Sequence, residues 1–192
     1  MKRLLIAFAI ASVGVVSPAA GATLVYDGTT LTGVTGLDVA GTLYDMTFVE
    51  GTCASLFSGC DDAAADFDFT NPTDASAAAT ALLSAFGAIE PANMAGCGYE
   101  LQCLVFIPYS LGDGVVSVAV IQNTPDSSSD GTFLFDLTSS YNSSNVINVV
   151  WADFTPAEVP EPAMLALLTL GGAGITARHR RQRKAQAPVH PT

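Results

Sequence analysis

Leu37-Asp-Val-Ala-Gly-Thr-Leu-Tyr-Asp-Met-Thr-Phe-Val49 is the stretch from which the fold class is read. Two short runs rich in β-branched and aromatic residues flank Ala40-Gly41, and strict alternation follows from Thr42 to Val49. A period of two places successive side chains on opposite faces, so the pattern predicts a β-hairpin. Tyr44, Met46 and Phe48 would share one face, and Leu43, Asp45, Thr47 and Val49 the other. Gly51 is a natural stop for the second strand.

Similar runs continue along the chain. Ala65-Asp-Phe-Asp-Phe-Thr70 alternates like a short strand with Phe67 and Phe69 inward. Cys103 to Ile107 and Val115 to Ile121, joined through a Leu-Gly-Asp-Gly turn at 111–114, predict a second hairpin, and Thr132 to Leu137 and Val146 to Phe154 complete the strands. Asn123 to Gly131 and Ser139 to Asn145 are polar connections. Residues Ala75 to Ala88 form the strong helix candidate, alanine-rich, entered through Asn71-Pro72-Thr73-Asp74 and left near Gly87 and Pro91. Its stripe of Ala79, Leu82, Leu83 and Phe86 would face the sheet. The expected class is α+β, mostly β: one antiparallel sheet carrying one alanine-rich helix. No fixed period of repetition runs through the chain.

Charge is distributed unevenly. Lys2 and Arg3 open the chain, the other basic residues except the histidines lie from Arg178 to Lys184, and no Lys, Arg or His falls from Leu4 to Ala177. The apolar run Leu4 to Val16, then Ser17 to Ala22, reads as a secretory signal peptide over residues 1–22, ending in the small-residue pattern Ala20-Gly21-Ala22 and cleaved before Thr23. Cleavage after Ala19 or Ala20 fits almost as well. An exported acidic globular domain over 23–154 would follow, then a proline-bearing linker over 155–162. Residues 163–177 are apolar or small, and 178–192 form a basic tail. At about 1.5 Å per residue the apolar run spans only ~22 Å, short of a ~30 Å hydrocarbon core. Such a marginal span suits a segment that is recognised and removed. Basic flanks favour the cytoplasm, so the carboxyl end would lie inside and the acidic domain outside.

The ending Val159-Pro160-Glu161-Pro162, a short hydrophobic run, and then Arg178, Arg180, Arg181 and Arg183 resembles the PEP-CTERM protein-sorting signal. The resemblance covers about residues 159–184, and the tail from Ala185 to Thr192 is longer than the usual finish after the arginines. It implies processing by exosortase, a membrane cysteine protease of Gram-negative bacteria that make extracellular polysaccharide. The expected partners are then that protease and the secretion machinery, the membrane during sorting, and extracellular polysaccharide. The expected destination is the cell surface or the extracellular medium. A glycine, Tyr44-Asp-Met-Thr-Phe48, then a glycine also resembles a short module of exported PEP-CTERM proteins of unassigned function. An ordinary single-span tail anchor is the alternative.

All 18 acidic residues except Glu161 fall between Thr23 and Pro160, so the exported domain is more negative than the −11 of the whole chain. Such a surface repels nucleic acid, whose binding needs Lys or Arg against phosphate. Stability should respond to low pH and to divalent cations, and calcium should stabilise it. Cys53, Cys60, Cys97 and Cys103 fit two disulfides in an oxidising compartment, most simply Cys53 with Cys60 and Cys97 with Cys103, although three connectivities are open. Loops of this size contribute about 2 to 3 kcal/mol each on the chain-entropy account. A four-cysteine zinc site fits poorly, because neither gap has the usual two to four residues.

Without an imidazole in the exported domain, a serine or cysteine nucleophile has no histidine base, and His179 and His190 would lie across the membrane. Lysine-assisted and arginine-clamped chemistry fall with it. Paired carboxylates alone suffice for a glycosidase, which leaves a secreted carbohydrate-active enzyme as a competing class. Trp151 and the tyrosines offer a modest sugar platform, unless they are core. Asp61, Asp62, Asp66, Asp68 and Asp74 cluster after Cys60, and Asp126 and Asp130 flank a serine run, yet the EF-hand order is missing. Asp66 and Asp68 read equally as the wet face of a strand. Asn142-Ser143-Ser144 matches a glycosylation sequon of little meaning in most bacteria. The favoured expectation is a non-catalytic exported protein without cofactor or metal. A calcium-assisted glycan-binding or adhesive module is the remaining alternative.

Overall fold

The computed structural model describes residues 21–60 and 67–157. Seven strands form one sheet: β1 (Thr23–Asp27), β2 (Thr30–Val39), β3 (Thr42–Val49), β4 (Cys103–Gly112), β5 (Val115–Asn123), β6 (Gly131–Thr138) and β7 (Val149–Pro156), in the spatial order β1-β2-β3-β7-β4-β5-β6. The described helices longer than one 3-10 turn are α1 (Cys53–Leu56) and α2 (Pro72–Phe86).

The turns follow from residue chemistry. Ala40 and Gly41 both take positive φ, at 52° and 89°, and so do Asp113 and Gly114, at 52° and 78°. Two consecutive left-handed residues match the right-handed twist of the flanking strands, which is why Asp-Gly closes β4 on β5 directly, pairing Gly112 with Val115. The Asn71 side chain caps α2 by accepting from the N–H groups of Thr73 and Asp74, and Pro72 opens the first turn. The helix ends at Phe86, two residues before the predicted Ala88, with Gly87 at positive φ as its cap.

Alternation sorts the central strands into two cores. On β5, Ala119 and Ile121 face one side while Val116, Val118 and Val120 face the other. On β7, Val150, Ala152 and Phe154 join Ala119 and Ile121, whereas Val149 and Trp151 join the valines. The buried face of α2, formed by Ala75, Ala78, Ala79, Leu82 and Phe86, belongs to the first cluster, with Leu83 half-buried at its margin. Cys53, Cys60, Phe67 and Leu137 belong to the second.

Two expectations are corrected, and one stretch of sheet is new. The sheet is mixed, because β7 runs parallel to β4, with Leu104, Val105 and Phe106 opposite Val149, Val150 and Trp151. A strand apolar on both faces must be covered on both, and the sheet interior supplies that cover. Phe67 to Thr70 is not a strand. Phe67 and Phe69 are both buried, but in different clusters, so this segment passes from one core to the other. Finally, β1 and the first half of β2 escaped the pattern reading, because Thr23 to Gly36 is threonine- and glycine-rich with little apolar alternation.

Candidate functional site

Strands β4 and β7 are in parallel register over Leu104–Phe106 and Val149–Trp151. Past that register, Ile107 and Pro108 on one strand and Ala152, Asp153 and Phe154 on the other line a cavity of about 200 Å³, together with Leu56, Phe57 and the segment Phe67–Phe69. Pro108 brings no N–H of its own to the ladder at this point. Asp68 enters here. Its carboxylate accepts hydrogen bonds from its own N–H and from that of Phe154. Phe69 packs edge-on against Phe154 with ring centroids 5.0 Å apart, and both rings contact Tyr44.

Desolvation and the neighbouring Asp153 carboxylate push the Asp68 pKa up to about 6, against the two backbone N–H groups that lower it. Burial also raises Asp153. The residue Asp68 is exposed on its outer side, so it is not sealed from water. Two interacting carboxyls with no cation nearby are what the acid-only composition leads to when a chain crossing must be hydrogen-bonded.

The second organised locus centres on Gly51. Its carbonyl accepts from the Trp151 indole Nε1 at 3.1 Å and from the Ser143 N–H at 3.0 Å, while its own N–H donates to Ser143 Oγ at 3.1 Å. Trp151 is 0% exposed and packs against Phe57 and Phe106. It is a core side chain and offers no stacking platform to a sugar. The sequon residues are similarly structural: Asn142 Oδ1 accepts from the Ser144 N–H, and Ser143 is fully buried.

The cysteines pair as Cys53–Cys60 and Cys97–Cys103. The first disulfide lies in the Trp151 cluster and the second in the cluster under α2, so each core has one. Asp126 caps a serine turn by accepting from the Ser128 N–H, and Asp130 accepts from the Thr124 N–H and hydroxyl. Among the described residues, no group of three or more acidic, cysteine or histidine side chains is placed to hold a metal ion. Asp61, Asp62 and Asp66 lie outside those residues, as do Ala20 of the expected signal-peptide ending and the whole expected sorting signal, Val159 to Pro162 and Arg178 to Arg183, while Ala22 is exposed just before β1. No described helix is long and apolar enough to cross a membrane.

A family model for the PEP-CTERM protein-sorting motif matches residues 158–181. The chain therefore carries a PEP-CTERM protein-sorting motif, which is found on exported, membrane-transiting proteins. The match begins beyond the last strand and includes none of the sheet. No curated protein matches the chain, and no solved structure does either. The motif implies exosortase-type processing in general terms.

Proposed function

We propose that the sheet domain is a non-catalytic cargo of this sorting route, delivered to the cell surface or to the extracellular polysaccharide matrix. The single observation that carries the reading is the motif at 158–181, placed directly after a disulfide-bonded domain with no basic side chain. Disulfides suit an oxidising compartment, and the charge suits a soluble, non-adherent passage through it. The proposed route has the signal peptide removed near Thr23 and the tail removed near Pro160-Glu161-Pro162, with the basic end on the cytoplasmic side until then. Intact mass and terminal peptides of the protein recovered from the envelope and medium of its native host test this. Chains ending near Pro162 are expected, and chains retaining Arg178 to Thr192 in the inner membrane would remove the proposal in favour of a tail anchor.

A carbohydrate-active reading has one observation in its favour, the Asp68 and Asp153 carboxyls beside one cavity, one of them held near pKa 6. A raised acid next to a second carboxyl is the arrangement a glycosidase needs. Against it, the cavity of about 200 Å³ is smaller than the ~300 to 1,000 Å³ typical of ligand sites, and Trp151 is buried. Glycan hydrolysis by the native protein that disappears in Asp68→Asn would reverse the preference.

A further inference from the structure

Among the described residues the sheet is open at both ends, and its two edges differ. Edge strand β1 carries a register shift between Val25 and Tyr26. Edge strand β6 pairs with β5 through eight consecutive residues without any bulge, from Val115↔Thr138 to Gln122↔Gly131. Natural sheets protect free edges with lysine, proline, bulges or short length. Strand β6 has none of these: it is eight residues long, and Phe133, Leu134 and Phe135 are 44%, 49% and 53% exposed. A domain without lysine has lost the usual gatekeeper by composition.

We infer that β6 is a homodimer edge, pairing antiparallel with β6 of a second copy about a two-fold axis through Leu134. The sequence is self-complementary in that register. Leu134 meets its own copy, Phe133 meets Phe135, and the acids Asp136 and Asp130 meet Thr132 and Thr138. Shifting the centre to Phe133 sets Asp130 against Asp136, and shifting it to Phe135 sets Leu134 against Asp136, so charge and apolar matching select one alignment. The two Asp136 side chains then stand four residues apart along the strands, about 14 Å, beyond the ~8 Å Debye length at physiological ionic strength. The nearest like charges are Asp130 of each copy and Asp136 of the other, diagonal at about 7 to 8 Å and open to screening by salt. The phenylalanines form cross-strand aromatic pairs on one face. Since both copies are strongly acidic, association should tighten as salt is raised. This inference is independent of the destination proposed above.

Single cysteines in the full chain, expressed with export, test it. At the axis, paired Cα atoms lie about 4.5 to 5.5 Å apart, within disulfide reach. Leu134→Cys is expected to give mainly disulfide-linked dimer on a non-reducing gel, while Val25→Cys on the other edge and Ile147→Cys, at 66% exposure the more accessible position, stay largely uncrosslinked. In sedimentation, Leu134→Lys, which sets two ammonium groups face to face, is expected to weaken the dimer at least about tenfold, with the far-ultraviolet spectrum unchanged. Equal cross-linking at all three positions, a monomer at every concentration and salt, or a disulfide to a different protein would overturn the proposal.

Discussion

The Asp68 carboxyl sits where a chain crossing meets the backbone N–H of Phe154, and its proton is held more tightly folded than unfolded. A raised folded pKa stabilises most below the ordinary value of 3.8, and that contribution is lost as pH rises through about 6. Urea midpoints should therefore fall across that window, and Asp68→Asn should flatten the fall. Above it the variant should be the more stable by at most about 1 kcal/mol, because water screens the exposed side. Asp126 acts in the opposite sense: the Ser128 hydroxyl and N–H lower its pKa, so its turn loosens in stronger acid. Asn123 is 1% exposed and donates from Nδ2 to the Ile89 carbonyl at 2.9 Å and to Met94 Sδ at 3.1 Å. Asn123→Ala leaves the half-buried Ile89 carbonyl without that donor and should cost about 1 to 3 kcal/mol in equilibrium unfolding.

At the scale of elements, each hairpin turn is set by two residues. Ala40 holds a left-handed φ of 52° that alanine disfavours by about 1 to 2 kcal/mol. Ala40→Asn makes the turn Asn-Gly, the strongest short hairpin signal, and should raise the melting temperature without changing the circular dichroism spectrum. Gly33 works by close approach. A Cβ there would run into the backbone carbonyl of Met46 on β3, so Gly33→Ala should cost about 1 to 3 kcal/mol, measured as a drop in urea midpoint. The glycine that weakened the strand signal of Thr30 to Gly36 is thus what lets β2 lie against β3. Helix α2 was legible because Asn71-Pro72 and an alanine-rich run are local signals, and its buried stripe follows from the helical period. The segment Phe67 to Thr70 misled because two aromatics spaced by one residue look the same on a strand and on a chain passing between two cores.

For the whole molecule, no ion pair balances the acidic surface of residues 23–157, since no Lys, Arg or His occurs there. Self-repulsion acts on the folded state and is screened by counterions. The melting temperature should rise from low to physiological sodium chloride, and rise further with calcium at matched ionic strength. An unchanged value on calcium addition would dispose of any specific role for it. The reduced protein should melt lower, since Cys53–Cys60 and Cys97–Cys103 each tie a surface loop into a different core.

What the sequence determined by itself is local or compositional. Hairpin turns at Ala40-Gly41 and Asp113-Gly114, the helix after Asn71 and the motif at 158–181 each lie within a short span, where spacing and residue type carry the information, whereas the sequence left three cysteine connectivities open and the structure selects the nearest-neighbour one. Strand order belongs to tertiary structure. Val149 to Phe154 announces that it must be covered on both faces, but nothing in it says that it will enter between β3 and β4 and run parallel to β4. The environment of Asp68 and the open edge at β6 are consequences of that insertion and of the order it imposes. Burial and pairing between distant segments depend on which faces remain to be covered once the local elements have formed, and only the assembled sheet decides that.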